Sequence, residues 1–426
     1  MAPSATETEH AQISTVPKVA PKIIDLINAR EGTNKPFVSI EFFPPRTKEG
    51  VSNLHARMGR MLENSSPLFT DMTWGAGGST AELTLDLTKH MHETGHVANM
   101  HLTCTNMAGE NGDPIAKVRE ALTVCKDLGV LNIVALRGDP PNGEETWTAT
   151  EGGFSCALDL VKFMRKEFGQ TFGIAVAGYP EGHPNAITVL KEGEEANMTP
   201  SEKKRCSVID GVTAVCKDAD YIKEMEYLKE KFDAGADMIL TQMFFDTDVF
   251  IQFMADCEAF GITCPIIPGL MCINAYGGFK KMTQFCRTRV PVELSEKMES
   301  IKDSSSAIKE FGVQYGIESC QKLIDGGVKG LHFYTLNLER VVYGITDGLG
   351  LTNILTEEGA KGMDKDAKSM IAVGSAWARV GDVVKCNDGE GIVKEALKDG
   401  SVVITLKEKQ TEITLAKGSF EKVVYG

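Results

Sequence analysis

A carboxylate at the end of an apolar run is the first group in this chain suited to moving a proton. Glu41 lies within residues 37–46, FVSIEFFPPR, where a run of strand formers is stopped by Pro44 and Pro45, neither of which can donate to a sheet ladder. Set among Ile40, Phe42 and Phe43, the carboxylate is expected to lose hydration, hold a proton near neutrality and act as a general acid. The alternative is an edge-strand Glu facing water. Arg137-Gly138-Asp139 closes a second apolar run, IVAL. Gly138 lets the backbone bend so that both charged neighbours reach one cavity mouth. Arg137 offers a planar fork to a pyrophosphate or carboxylate, and the alternative for Asp139 is a plain ion pair. A glycine-rich stretch over 75–80, GAGGST, precedes a helical pattern and can present backbone amides to an anion, but it is not G-x-G-x-x-G.

Short apolar runs must position these groups. After the first they fall at 69–74, 98–103, 132–137, 173–177, 237–242, 265–270 and 330–334, with helical patterns at 80–94, 114–128, 156–168, 221–234, 247–260 and 306–325. Eight strand-helix units predict an α/β fold, a (β/α)8 TIM barrel rather than an open doubly wound sheet. Two gaps are long: residues 190–218, read as a surface excursion, and the connection between the seventh and eighth strands. The site of such a barrel lies at the C-terminal ends of its strands. There the chain carries Glu41, Thr73, His101, Thr103, Arg137, Asp139, Tyr179, His183, Gln242, Tyr334 and Asn337. Each alone fits a ladder neighbour, but a ring of them reads as a ligand cavity.

The predicted organisation is a flexible tail over 1–20, the barrel over 21–354, a charged linker over 355–374 and a small all-β, SH3-like barrel over 375–426. That last unit shows about five alternating runs separated by Gly-Asp, Asp-Gly and Lys-Gly turns. Its size makes it marginal alone, so it is expected to dock on the large domain or on a second subunit. A net charge of -14 argues against nucleic acid as a partner. The eleven cysteines form no C-x-x-C pair and read as reduced core residues, so no metal site is expected. No run of eighteen apolar residues predicts a membrane span, and residues 1–18 lack a signal-peptide core or an arginine-rich presequence, which points to a cytoplasmic protein.

Taken together and in this order, VSIEFFPPRT, DMTWGAGG, HLTCTN, VALRGDPP, AGYPEGHP, DAGADMILTQMFFD, PIIPGL and LHFYTLN closely resemble the methylenetetrahydrofolate reductases. The resemblance implies an FAD-binding barrel that reduces 5,10-methylenetetrahydrofolate to 5-methyltetrahydrofolate with NAD(P)H, in a ping-pong hydride transfer that feeds methionine synthesis. It implies that Glu41 is the general acid and that Asp139 is a carboxylate near flavin and pterin. FAD would lie along Thr73, Trp74, His101, Arg137, Gly138, Asp139, Ala157, Tyr179, His183, Glu224 and Lys231. Folate would meet Glu41, Gln242, Tyr334 and a stacking aromatic, Tyr276.

Several positions depart from the family pattern. Cys156 stands where a Tyr is usual, Glu224 replaces an Asp, and Leu338 replaces an Arg after HFYTLN. The large regulatory domain of eukaryotic members is replaced by the small β unit, so inhibition by S-adenosylmethionine is not expected, and a role in subunit contact within a homo-oligomer or in partner binding is. The alternatives are another flavin barrel, such as a proline-oxidising one, and a non-catalytic flavin- or folate-binding protein acting through that unit.

Overall fold

Period-two alternation along short, buried strands builds the large domain. In chain order the strands are β1 (Phe37–Phe42), β2 (Phe69–Met72), β3 (Ala98–Thr103), β4 (Asn132–Leu136), β5 (Gly173–Gly178), β6 (Ile187–Val189), β7 (Ser207–Ile209), β8 (Val212–Cys216), β9 (Met238–Thr241), β10 (Ile266–Ile267), β11 (Gly269–Met271) and β12 (Gly330–Tyr334). The computed structural model describes residues 19–33, 35–75, 80–104, 112–140, 147–209, 211–352, 383–397, 401–407, 409–416 and 419–422. The expected tail over 1–20 lies outside them except for residues 19 and 20, of which Ala20 is buried with its N–H on the Gly129 carbonyl at 2.8 Å; the centre of the 75–80 glycine stretch and the 355–374 linker lie outside as well.

The parallel sheet runs β10-β9-β5-β4-β3-β2-β1-β12-β11. Its two end strands are halves of one stave, since only Pro268 separates them, and the ring therefore closes with eight staves. The single strand expected over 265–270 is corrected here. Pro268 has no N–H to carry the ladder onward, although its carbonyl accepts the His332 N–H at 3.1 Å.

Helices α1 (Ile23–Asn28), α2 (Lys48–Ser65), α3 (Ala81–Glu93), α4 (Ala116–Leu128), α5 (Ala157–Phe168), α6 (Pro200–Arg205), α7 (Asp218–Asp233) and α8 (Thr247–Ala259) alternate with these strands. The long gap before β12 is filled by α9 (Tyr276–Cys286), α10 (Val292–Ile301) and α11 (Ser305–Asp325), and α12 (Arg340–Gly348) follows. Val38, Ile40 and Phe42 face outward and pack with Leu54, Met58 and Met61 of α2 in the main core. Inward residues Phe37, Phe69, Val134, Ala175, Met238 and Ile267 close the barrel floor with Ile23 and Ile27 of α1. That helix is tied on by its Ile23 N–H, which donates to the Asn132 side chain at 2.7 Å.

Residues 190–218, expected as a surface excursion, carry secondary structure of their own. Strands β6, β8 and β7 form an antiparallel sheet, and α6 opens with a capping box between Thr199 and Glu202. Near the C-terminus β13 (Val383–Cys386), β14 (Gly389–Ala396), β15 (Val402–Leu406), β16 (Glu412–Leu415) and β17 (Glu421–Lys422) make one antiparallel sheet around Val384, Val393, Val402, Ile404 and Leu406. The expected architecture, a parallel α/β barrel followed by a small all-β unit, holds. Among the described residues no helix is long and apolar enough to cross a membrane, and all eleven cysteines are free thiols.

Candidate active site

Two adjoining chambers, of about 340 and 330 Å³, open at the C-terminal ends of the strands and share Arg137, Tyr179 and His183. Alternation decides what faces them: on β1 the outward Ile40 and Phe42 leave Ser39 and Glu41 to the lumen. The expected surroundings of Glu41 are thereby corrected. Its sequence neighbours point to the helices, and its carboxylate sits instead in a polar layer. The His101 Nε2 lies 3.6 Å from Glu41 Oε2 and 2.9 Å from the fully buried Asp71, while the His332 Nε2 lies 3.9 Å from Glu41. Asn99 donates to Asp71 at 2.9 Å, and Ser39 meets the His332 Nδ1 at 2.9 Å. Burial pulls the His101 pKa down, but the hydrogen bond and charge of Asp71, with the charge of Glu41, outweigh it and hold the imidazole above its ordinary value.

The first chamber also gathers Thr73, Trp74, Gly138, Asp139, Gln242 and Tyr334. Gly138 adopts φ 95°, a left-handed conformation that any side chain would strain. Burial raises the Asp139 carboxyl above its ordinary range, opposed by the Arg137 guanidinium. The Tyr334 hydroxyl donates to the Thr241 carbonyl at 2.6 Å across β11. Gly269 makes room for that crossing, because a Cβ there would lie 2.5 Å from the Tyr334 ring. Gln242 accepts the Met243 N–H through Oε1 at 2.8 Å, which fixes the amide's orientation.

The second chamber is lined by Cys156, Ala157, Glu224, Lys231, Trp147 and Tyr227, besides the shared residues. Cys156 and Ala157 are the N-cap and first residue of α5; the Cys156 side chain makes no cap bond, the Leu158 N–H donates to the Tyr227 hydroxyl at 3.4 Å, and the first-turn Asp159 accepts the Ser155 N–H at 2.9 Å. Lys231 is buried and donates to the Ala177 carbonyl at 2.8 Å. Burial pushes its pKa down to about 8, against the attraction of Glu224. Burial likewise raises Glu224, opposed by Lys231 and Arg137. His183 is held down to about 4 by burial and by the charges of Arg137 and Lys231. It is thus neutral at pH 7, with Nδ1 accepting the Asn185 N–H at 3.0 Å and Nε2–H left as the donor.

Two expected residues lie elsewhere. Asn337 lines neither chamber and instead holds the Phe43 backbone, accepting its N–H at 3.0 Å and donating to its carbonyl at 2.8 Å. Tyr276 lines neither chamber; its hydroxyl donates to Glu299 at 2.6 Å and its ring packs on the cluster around Phe279 and Met298. Conversely, Asp71, Asn99 and His332 were not read from the sequence, although the polar alternation Asp71-x-Thr73, Asn99-x-His101 and His332-x-Tyr334 carried the signal. Nothing in the sequence singled out Trp147 or Tyr227.

The family model for methylenetetrahydrofolate reductase matches residues 26–350. The chain belongs to the methylenetetrahydrofolate reductase family. It is 46% identical over 331 residues to the probable methylenetetrahydrofolate reductase (NADH) of Oryza sativa subsp. japonica, covering 78% of this chain and 51% of that one. It is 34% identical to the probable methylenetetrahydrofolate reductase (NADPH) of Caenorhabditis elegans, over 74% of this chain and 42% of that one. The 5,10-methylenetetrahydrofolate reductase of Pectobacterium carotovorum subsp. carotovorum is 32% identical, over 74% of this chain and 90% of that one. The chain thus spans about half the length of its plant relative and nearly all of the bacterial one.

Behind the shared wall of this reductase-family site, Glu181 is 6% exposed; one carboxylate oxygen accepts the Arg289 N–H at 2.8 Å and the other has no partner among the described residues. Burial pushes its pKa up to about 8, partly offset by that hydrogen bond. The folded value lies above that of an unfolded Glu, about 4.3. Folding therefore binds a proton, and this stability is fully present below about pH 4.3 and lost as the pH rises through about 8. Glu181→Gln keeps the acceptor for Arg289. It is expected to be nearly neutral at pH 4 and to stabilise by on the order of 5 kcal/mol at pH 8, read from urea midpoints at the two pH values.

Proposed function

We propose that this chain reduces 5,10-methylenetetrahydrofolate to 5-methyltetrahydrofolate at the expense of NAD(P)H, with FAD held across the two chambers. The observation that supports it most is Glu41 in the lumen, beside His101 and within the same chamber as Asp139, Gln242 and Tyr334. The donor set fits a flavin dinucleotide. Arg137 and Lys231 suit a pyrophosphate. Among the described residues the buried indole N–H groups of Trp74 and Trp147 have no hydrogen-bond partner, so a ligand with acceptors in both chambers would complete them. Thr73, Trp74, His101, Arg137, Gly138, Asp139, Ala157, Tyr179, His183, Glu224 and Lys231 would hold it. When bound, FAD supplies the carrier that takes a hydride from the nicotinamide and passes it to the folate.

The residues of the chain do the rest. Glu41 gives its proton to the bridging nitrogen of the folate, so the five-membered ring opens to an electrophilic iminium whose methylene carbon accepts the hydride. Gln242 and Tyr334 hold the pterin, their side chains already fixed by the Met243 N–H and the Thr241 carbonyl. Asp139, raised by burial, lines the first chamber near Arg137, where its charge would bear on both ring systems. Relatives named for NADH and for NADPH both match this chain, so the donor is written NAD(P)H.

The test is turnover. The purified chain, supplied with FAD, is expected to form 5-methyltetrahydrofolate from methylenetetrahydrofolate with at least one of the two nicotinamides. No product with either would overturn the reading.

A further inference from the structure

Strands β12, β1 and β2 run side by side below the first chamber, and alternation turns His332, Glu41 and Asp71 toward the lumen. Glu41 and Asp71 are register partners, and His332 sits opposite Ser39, two residues before Glu41. One donor atom from each of the three lies within 4.8 Å of the other two. The His332 Nε2 is 3.9 Å from Glu41 Oε2 and 3.8 Å from Asp71 Oδ2. No thiol takes part, so cysteine spacing carried no sign of this cluster.

His332 is fully buried, yet its Nε2 has no hydrogen-bond partner among the described residues. A buried polar atom left in that state is costly unless a ligand completes it. Its Nδ1 lies 2.9 Å from the Ser39 hydroxyl, which also reaches the Leu331 carbonyl at 3.5 Å. With the hydroxyl proton on that carbonyl, Nδ1–H donates to the serine oxygen and Nε2 keeps its lone pair, facing both carboxylates. Asp71 is oriented in turn: Asn99 donates to its Oδ1 at 2.9 Å and the His101 Nε2 meets its Oδ2 at 2.9 Å. Contacts of this kind around imidazole and carboxylate fix the ligands of metal sites. Glu41 is partly exposed and lines the chamber, which leaves an entry path and room for a water.

We propose that Glu41, Asp71 and His332 form a binding site for a divalent ion of the zinc class, with water in the fourth position, and that the bound ion blocks the proton-donating carboxylate. Two carboxylate oxygens and one imidazole nitrogen suit zinc, whereas magnesium and calcium call for six or more oxygens. Zinc holds its ligands at about 2.0–2.2 Å, so ligand atoms on one ion stand up to about 4.3 Å apart. Both His332 distances fit, and a small rotation of Glu41 closes the third. With the ion in place Glu41 has no proton to give, so the folate half of the reaction stops while flavin reduction continues. That consequence rests on the reductase reading; the binding itself does not.

The experiment uses the full chain loaded with FAD. Zinc bound per chain is measured by equilibrium dialysis at neutral pH, and both half-reactions are followed with and without saturating zinc. One zinc per chain is expected, with a Kd in the micromolar range. Reoxidation by methylenetetrahydrofolate is expected to slow at least about tenfold and bleaching by the nicotinamide to stay within about twofold, with EDTA restoring the rate. Glu41→Gln and His332→Gln are expected to raise the zinc Kd about 100-fold, and Ser39→Ala about tenfold by freeing the ligand ring. His55 and His90, whose rings stack at 3.9 Å on α2 and α3, are the rival imidazoles, and replacing both with Ala is expected to leave the Kd unchanged. If His332→Gln fails to fold, Glu41→Gln, altered at a partly exposed side chain, carries the test. No bound zinc at about 100 μM, or wild-type affinity in Glu41→Gln, overturns the proposal alone. Equal slowing of both half-reactions overturns the blockade. A chain that binds zinc as expected but reduces no folate in its absence overturns the reductase reading and leaves the site standing.

Discussion

Glu41→Gln is expected to lower the rate of methylenetetrahydrofolate reduction by about 10²–10⁴-fold while leaving reduction of the bound flavin by the nicotinamide within a few-fold of wild type. The two outcomes separate because only the folate needs a proton. Gln matches Glu in shape and keeps an acceptor and a donor near His101, so the polar layer of Asp71, His101 and His332 stays assembled. What is lost is the transferable proton. The drop corresponds to about 3–5.5 kcal/mol of barrier. Half-reactions followed separately by stopped-flow absorbance check it. Equal losses in both halves would mean that Glu41 positions the cofactor rather than protonating the substrate.

The second large effect is expected at Arg137, which lines both chambers and lies 5.4 Å over the Trp147 ring. Arg137→Ala removes a planar fork, a cation and the surface on which that indole rests. Two charge-assisted hydrogen bonds at about 1.5–3 kcal/mol each make a loss of FAD affinity of about 100-fold or more. Arg137→Lys is expected to restore only a part, because an ammonium cannot form the two parallel bonds of a guanidinium. Titration of the unfolded-released flavin back onto each variant, read by fluorescence quenching, gives the affinities. An Arg137→Ala protein that keeps wild-type affinity would place the pyrophosphate elsewhere.

Much of the fold was legible because a parallel barrel buries its strands on both faces, and eight short apolar runs stood out against amphipathic helices. The strand ends were legible for the same reason: Glu41, His101, Arg137, Gln242 and Tyr334 are polar residues where an apolar run stops, and the structure brings all five to one chamber. Reading Glu41 by its sequence neighbours was misleading, since Ile40 and Phe42 lie on the opposite face of the strand. The same period-two rule, applied one step further, would have found Asp71 and His332 in the layer beneath. Pro268 was a visible ladder breaker inside the seventh run, and Thr199-x-x-Glu202 a visible capping box inside the 190–218 lobe. Tyr276 shows where linear position stops being informative. It occupies the first turn of α9, and only the packing of that helix, with Glu299 on α10 to receive the hydroxyl, decides that the last turn, carrying Phe285, meets the chamber instead.

The central claim is that one chamber serves an electron donor and a folate in turn. Its most direct test is an anaerobic two-step mixing of the FAD-loaded chain, first with NADH or NADPH and then with methylenetetrahydrofolate. The account predicts bleaching of the flavin colour in the first step, its return in the second, and one 5-methyltetrahydrofolate formed per flavin. Bleaching that the folate fails to reverse, or no bleaching with either nicotinamide, would contradict it.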